Sequence, residues 1–150
     1  MIDTKSYREI IDTFYKRLLE IDDGIAGVKL SDDKWSLKEI IGHLIDSASN
    51  NHQRFVRLQF GELLGFPAYN AEEWISAQKY NNMRWDILIS LWYNYNCLLL
   101  NFIENSTESM QKNAWIKDEE AIPYEELVPG YYKHIELHIE HFNKRKEEIS

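Results

Sequence analysis

The chain has 150 residues, 44% hydrophobic and 13% aromatic, with a formal net charge of −8. That length and apolar content suit a single domain over residues 1–150 with a core that needs no staples, and they exclude a disordered chain. The acidic balance, with no basic cluster beyond Lys144-Arg145-Lys146, argues against a nucleic-acid partner.

The N-terminus lacks the basic and apolar regions of a signal peptide, and no apolar run reaches transmembrane length, so a soluble cytoplasmic protein without membrane attachment is expected. The lone cysteine, Cys97, excludes an intrachain disulfide. Within Cys97-Leu98-Leu99-Leu100 it reads as a buried thiol acting as a small hydrophobe.

A first helix is expected from about Thr4 to Ser6, where Ser6-x-x-Glu9 has the form of a capping box. Ile10, Ile11, Phe14, Leu18 and Ile21 form its apolar stripe, and Asp22-Asp23-Gly24 with Gly27 ends it. Turn residues at Ser31-Asp32-Asp33 come next. Ser36 and Glu39 make a second capping box, with Trp35 placed to staple onto Ile40. In the helix that begins there, Leu37, Ile41, Leu44, Ala48 and Phe55 share one face. His43, Ser47 and Arg54 fall on its flank, and Asp46, Asn50 and Arg57 lie further round, toward solvent.

Gly61 and Gly65-Phe66-Pro67 end this helix, and the connection to the next is unusually long for a compact helical domain. A short helix from Ala71 to Gln78 is expected to interrupt it, and its length suits a crossover. Tyr69 and Trp74 in this connection read as exposed aromatics on which a second copy could pack as a homodimer. A third long helix runs from after Asn81-Asn82 to about Glu104, burying Trp85, Leu88, Trp92, Leu99, Phe102 and Ile103. Asn113 to Ile122 reads as irregular or briefly extended, with Trp115 anchored on the core. The last helical region opens at Pro123. Pro129-Gly130 predicts a kink or a fresh start, because proline removes a hydrogen bond and crowds the preceding turn. Beyond it Tyr131, Ile135, Phe142 and Ile149 share a face, with His138 at its edge, His134 a little further round and His141 nearer solvent.

His134 and His138, one helical turn apart, can meet one cation. His43, on the flank of another helix, is placed to be the third ligand. The intervening Ile135, Glu136 and Leu137 exclude the His-Glu-x-x-His protease motif. Three neutral imidazoles leave the charge of a divalent ion intact and a position open, where a water becomes a stronger acid. Zinc is the default ion; nickel or iron(II) also accept such a site. Asp46 and Glu136 are the acids placed to support the ligands from behind. His52 and His141 read as ordinary polar or outer neighbours.

Three segments carry a family resemblance: Trp35-Ser36-x-x-Glu39-x-x-x-His43-Leu44-x-Asp46-Ser47; Asn50-x-His52-x-Arg54-Phe55-Val56-Arg57; and Tyr132-x-His134-x-x-x-His138. The chain resembles the DinB-like superfamily, which includes the YfiT-like metal-dependent hydrolases and the bacterial thiol S-transferases. The resemblance spans nearly the whole chain and implies an all-α, up-down-down-up four-helix bundle. It also implies one divalent metal on His43, His134 and His138. His141 stands where a glutamine is common in such proteins, so the resemblance does not make it a ligand.

The activity this implies is that of a metal-dependent enzyme that activates a low-molecular-weight thiol, as in an S-transferase, or a water, as in a hydrolase, against a small-molecule substrate. The reacting group is the thiol or water itself, and Arg54 is of the type that holds a carboxylate of a co-substrate. The rival reading is a non-catalytic helical module, a stress-response or interaction domain that binds metal for stability or binds none.

Overall fold

A computed structural model describes residues 2–150. Four long helices pack around one core: α1 (Thr4–Leu18), α3 (Leu37–Arg57), α5 (Trp85–Glu104) and α6 (Tyr124–Ile149). α5 lies against both α1 and α3, and α6 closes the ring against the other sides of the same two helices. Two short helices, α2 (Asp23–Ala26) and α4 (Ala71–Gln78), sit in the connections. The chain is therefore a mostly helical four-helix bundle.

The all-α expectation needs one correction, a small three-stranded sheet. β2 (Ala114–Lys117) and β3 (Glu120–Pro123) form an antiparallel hairpin, with Asp118 in the left-handed region at its turn. β1 (Leu63–Leu64) adds in parallel to β2. The sheet ties the segment after α3 to the segment before α6, so it steadies the end of the bundle where those helices meet.

α3 is the helix most clearly specified by local chemistry. Ser36 accepts from the Glu39 amide at 3.1 Å, and Glu39 accepts from the Ser36 amide at 3.0 Å. Leu37, Ile41, Leu44, Ala48 and Phe55 are wholly buried. Asp46 and Asn50, expected toward solvent, are also buried, and α4 and the following turn cover Asp46. Tyr80 in that turn donates to Asp46 at 2.5 Å, and Gln78 adds a bond to the same oxygen at 2.8 Å. Lys38 is buried too; it bridges the Met83 carbonyl and Asp23, whose carboxylate also receives the Trp85 amide.

α1 starts one turn earlier than the proposed Ser6 cap: Asp3 accepts from the Ser6 amide. It also stops at Leu18, and Asp22 caps α2 where the sequence suggested a terminator. α6 runs unbroken from Tyr124 through Pro129, with no fresh start. Proline there removes only the bond to Glu125 in the second turn, while packing on α1 and α3 holds the rest. The Tyr124 and Glu125 amides are satisfied instead by the Asn113 and Gln111 carbonyls. In the core, Phe14 meets Trp92 and Phe142 edge-on, at centroid distances of 5.4 and 5.2 Å. Cys97 is only half-buried, so its role as a fully buried hydrophobe is not kept.

Candidate metal centre

His43 on α3 and His134 and His138 on α6 converge between the two helices, each offering a ring nitrogen within 4.8 Å of the others. His134 Nε2 lies 3.3 Å from His43 Nε2 and 3.1 Å from His138 Nε2. Lone pairs this close repel unless a proton or a cation lies between them, and one imidazole N–H can serve only one of the two contacts. A tetrahedral ion with metal–nitrogen bonds of about 2.0–2.1 Å would hold its ligand nitrogens roughly 3.3 Å apart. The donor set and its spacing fit a divalent metal.

Electrostatics favour the neutral, ligating form of all three rings. Burial pushes His43 down to about 3, with the neighbouring His138, His134 and His141 adding to the effect. His138 falls to about 4, again first by burial and then by His134 and His141. His134 is lowered by burial alone. In the unfolded chain each imidazole takes a proton near its ordinary pKa of about 6.5. Below that value the unfolded state binds protons that the folded state refuses, so folding stability falls as pH falls toward 4. Asp46, raised by burial, works the other way, but it is one group against three. The melting temperature of chelator-treated protein is therefore expected to drop steadily from pH 7 to pH 4.5. In His43→Gln the slope should flatten; an equal slope in the variant would contradict an origin in the buried imidazoles.

The supporting shell differs from the sequence expectation. Asp46 is engaged by Tyr80 and Gln78, and Glu136 is exposed, so neither acid backs a histidine. His134 Nδ1 faces Ser47 Oγ at 3.4 Å, and His138 Nδ1 faces His141 Nδ1 at 3.5 Å. His43 Nδ1 is buried with no partner among the described residues. His141 lies behind His138 rather than in the convergent group, half-buried and 3.5 Å from Arg145. His52 points elsewhere and bonds the Tyr95 hydroxyl at 2.9 Å.

Trp35 roofs the cluster, its ring 5.1 Å from His43, 6.4 Å from His138 and 6.0 Å from His141 between centroids. Its indole N–H donates to Glu72 on α4, and its carbonyl receives Arg145 from α6. Arg145, which the sequence shows only as part of the basic run Lys144-Arg145-Lys146, is thus a buried strut. Only the contact order of the fold reveals that role. On the other side a cavity of about 350 Å³ opens between α3 and α6, reaching the cluster at His134 and lined also by Ser47, Asn51, Arg54 and Tyr69. Tyr69, expected to be exposed, is half-buried there and packs on Trp74 at 4.9 Å.

No family model matches the chain, and none of the curated proteins compared with it matches either. Among solved structures, YfiT from Bacillus subtilis superposes with a TM-score of 0.82 over 99% of this chain and 90% of that one, at 16% identity. This chain has the YfiT-like fold. YfiT is described as a probable metal-dependent hydrolase with an unusual four-helix bundle topology. The YfiT-like likeness covers all four long helices, so it includes the two that carry the histidines. No helix among the described residues is long and apolar enough to cross a membrane.

Proposed function

We propose that this protein is a metal-dependent enzyme acting on a small molecule, with one divalent ion held by His43, His134 and His138. The observation that carries the reading is the triangle of Nε2 atoms at 3.1 and 3.3 Å in a desolvated pocket. Zinc is the ion best matched to three imidazoles at tetrahedral spacing, with nickel and iron(II) as alternatives. When bound, such an ion supplies a Lewis acid that makes a thiol or a water beside it a stronger acid, and so a better nucleophile at neutral pH.

The chain's own residues do the remaining work. Burial keeps the imidazoles unprotonated, Ser47 and His141 stand behind His134 and His138, and Trp35 shields the cluster on one side. The cavity on the His134 side admits a substrate. Water as nucleophile is supported by the description of YfiT as a probable metal-dependent hydrolase. A low-molecular-weight thiol is the second nucleophile, supported by the sequence resemblance to the thiol S-transferases. For the bundle we infer an up-down-down-up course with a crossover between α3 and α5. The intervening α4 and β1 supply its length.

Cobalt-substituted protein separates the nucleophiles. A thiol that joins the ion adds intense near-ultraviolet absorption, whereas a hydrolase leaves the spectrum unchanged by thiols and cleaves activated esters or amides. Protein that takes up cobalt yet shows neither response would sink the enzymatic reading in favour of a structural metal.

A further inference from the structure

The cavity beside His134 contains a cation that the protein does not pair. Arg54, on the last turn of α3, is buried with 9% of its surface exposed. Its guanidinium lies over the Trp115 ring at 4.7 Å and the Phe66 ring at 5.1 Å. No carboxylate among the described residues stands within ion-pairing distance, and Nε is buried with no acceptor among them. The one acid lining the cavity, Glu126, is exposed.

Two structural roles account for part of this. A cation near a helix C-terminus meets the negative end of the dipole, and stacking on aromatic faces is favourable. Neither needs the N–H donors on the edge of the guanidinium. Burying a charge without a partner is costly, and burying hydrogen-bond donors without acceptors adds to the cost. The two ring contacts engage the charge and give the N–H donors no acceptor, and Arg54 lines the cavity.

We propose that Arg54 is the anchor for a carboxylate of the small-molecule substrate, bound in the cavity between α3 and α6 with its reacting end at His134. Arg54 lies seven residues beyond Ser47, which touches His134, so the two ends are separated by about 10 Å along α3. The substrate class is therefore an elongated organic acid. Arg54 is the one cationic side chain in the cavity lining, where His134 is held neutral, and Glu126 disfavours a dianion. A single planar fork suits a monoanionic carboxylate, with its two parallel oxygens, better than a phosphate. The placement of the reacting end rests on the proposed metal site; the carboxylate site does not.

The test follows the Arg54 Nε–H resonance of full-length protein by NMR, with and without zinc. The probes are propionate to hexanoate, the matching primary amides and inorganic phosphate. The best carboxylate should shift the resonance and bind at least about tenfold more tightly than its amide. That advantage should vanish in Arg54→Gln and fall partway in Arg54→Lys, which keeps the charge and loses the fork. Equal binding of carboxylate and amide to the wild-type protein would overturn the proposal, and so would an advantage that survives Arg54→Gln. Preference for phosphate would overturn the assignment to a carboxylate. Because the zinc-free arm gives its own answer, failure of the metal site leaves this result standing, and failure of the carboxylate site leaves the metal site untouched.

Discussion

Zinc is expected to raise the melting temperature of the wild-type protein by about 8–16 °C and to leave His134→Ala unchanged. An ion that binds only the folded state stabilises it by RT ln(1 + [L]/Kd), about 4 kcal/mol at a thousandfold excess over Kd. For a domain of this size each kcal/mol is worth roughly 2–4 °C. His134 is the choice because its Nε2 faces both other histidines, at 3.3 and 3.1 Å, so its loss removes the centre of the donor set. Without metal the alanine variant should be no less stable than the wild type, since it relieves two nitrogen–nitrogen contacts. An equal zinc response in variant and wild type would place the ion elsewhere.

Gly42→Ala should cost about 2–3 kcal/mol of stability, the upper range for overpacking a well-filled core. A Cβ at Gly42 would come within 2.6 Å of three ring atoms of Tyr80. Tyr80 cannot step aside freely, because it is buried and its hydroxyl holds Asp46 at 2.5 Å. Either the ring moves and Asp46 loses a bond, or α3 shifts away and carries the adjacent His43 with it. Zinc affinity should therefore fall along with stability. Trimming the ring in Gly42→Ala/Tyr80→Leu should recover part of the loss, a coupling expected of residues in contact. A change below about 0.5 kcal/mol in the single variant would mean that the helix and the turn are not locked together in this way.

Much of the bundle was legible because its signals are local. The Ser36/Glu39 capping box placed the start of α3, the short helix expected from Ala71 to Gln78 is α4, and the stripe through Trp85, Leu88, Trp92 and Leu99 marked α5. The flank position of His43 depended only on helical rotation, and the structure brings it to His134 and His138. Long-range cover was less visible. Asp46 looked solvent-facing because the element that buries it arrives more than twenty residues later. The hairpin at 114–123 pairs with only two residues of β1, too short a register to leave a pattern. The run through Pro129 reflects packing of α6 rather than its own propensity. The contacts of Ser47, Trp35 and Arg145 around the histidines were hidden for the same reason: each meets a partner from another element.

That three histidines from two helices hold one divalent ion is tested most directly by elemental analysis. The purified protein is compared with His43→Ala and His138→Ala after equilibration with zinc and desalting. About one zinc per wild-type chain is expected and almost none in either variant, with helical content preserved. Wild-type stoichiometry retained in both variants would contradict a site built on these residues.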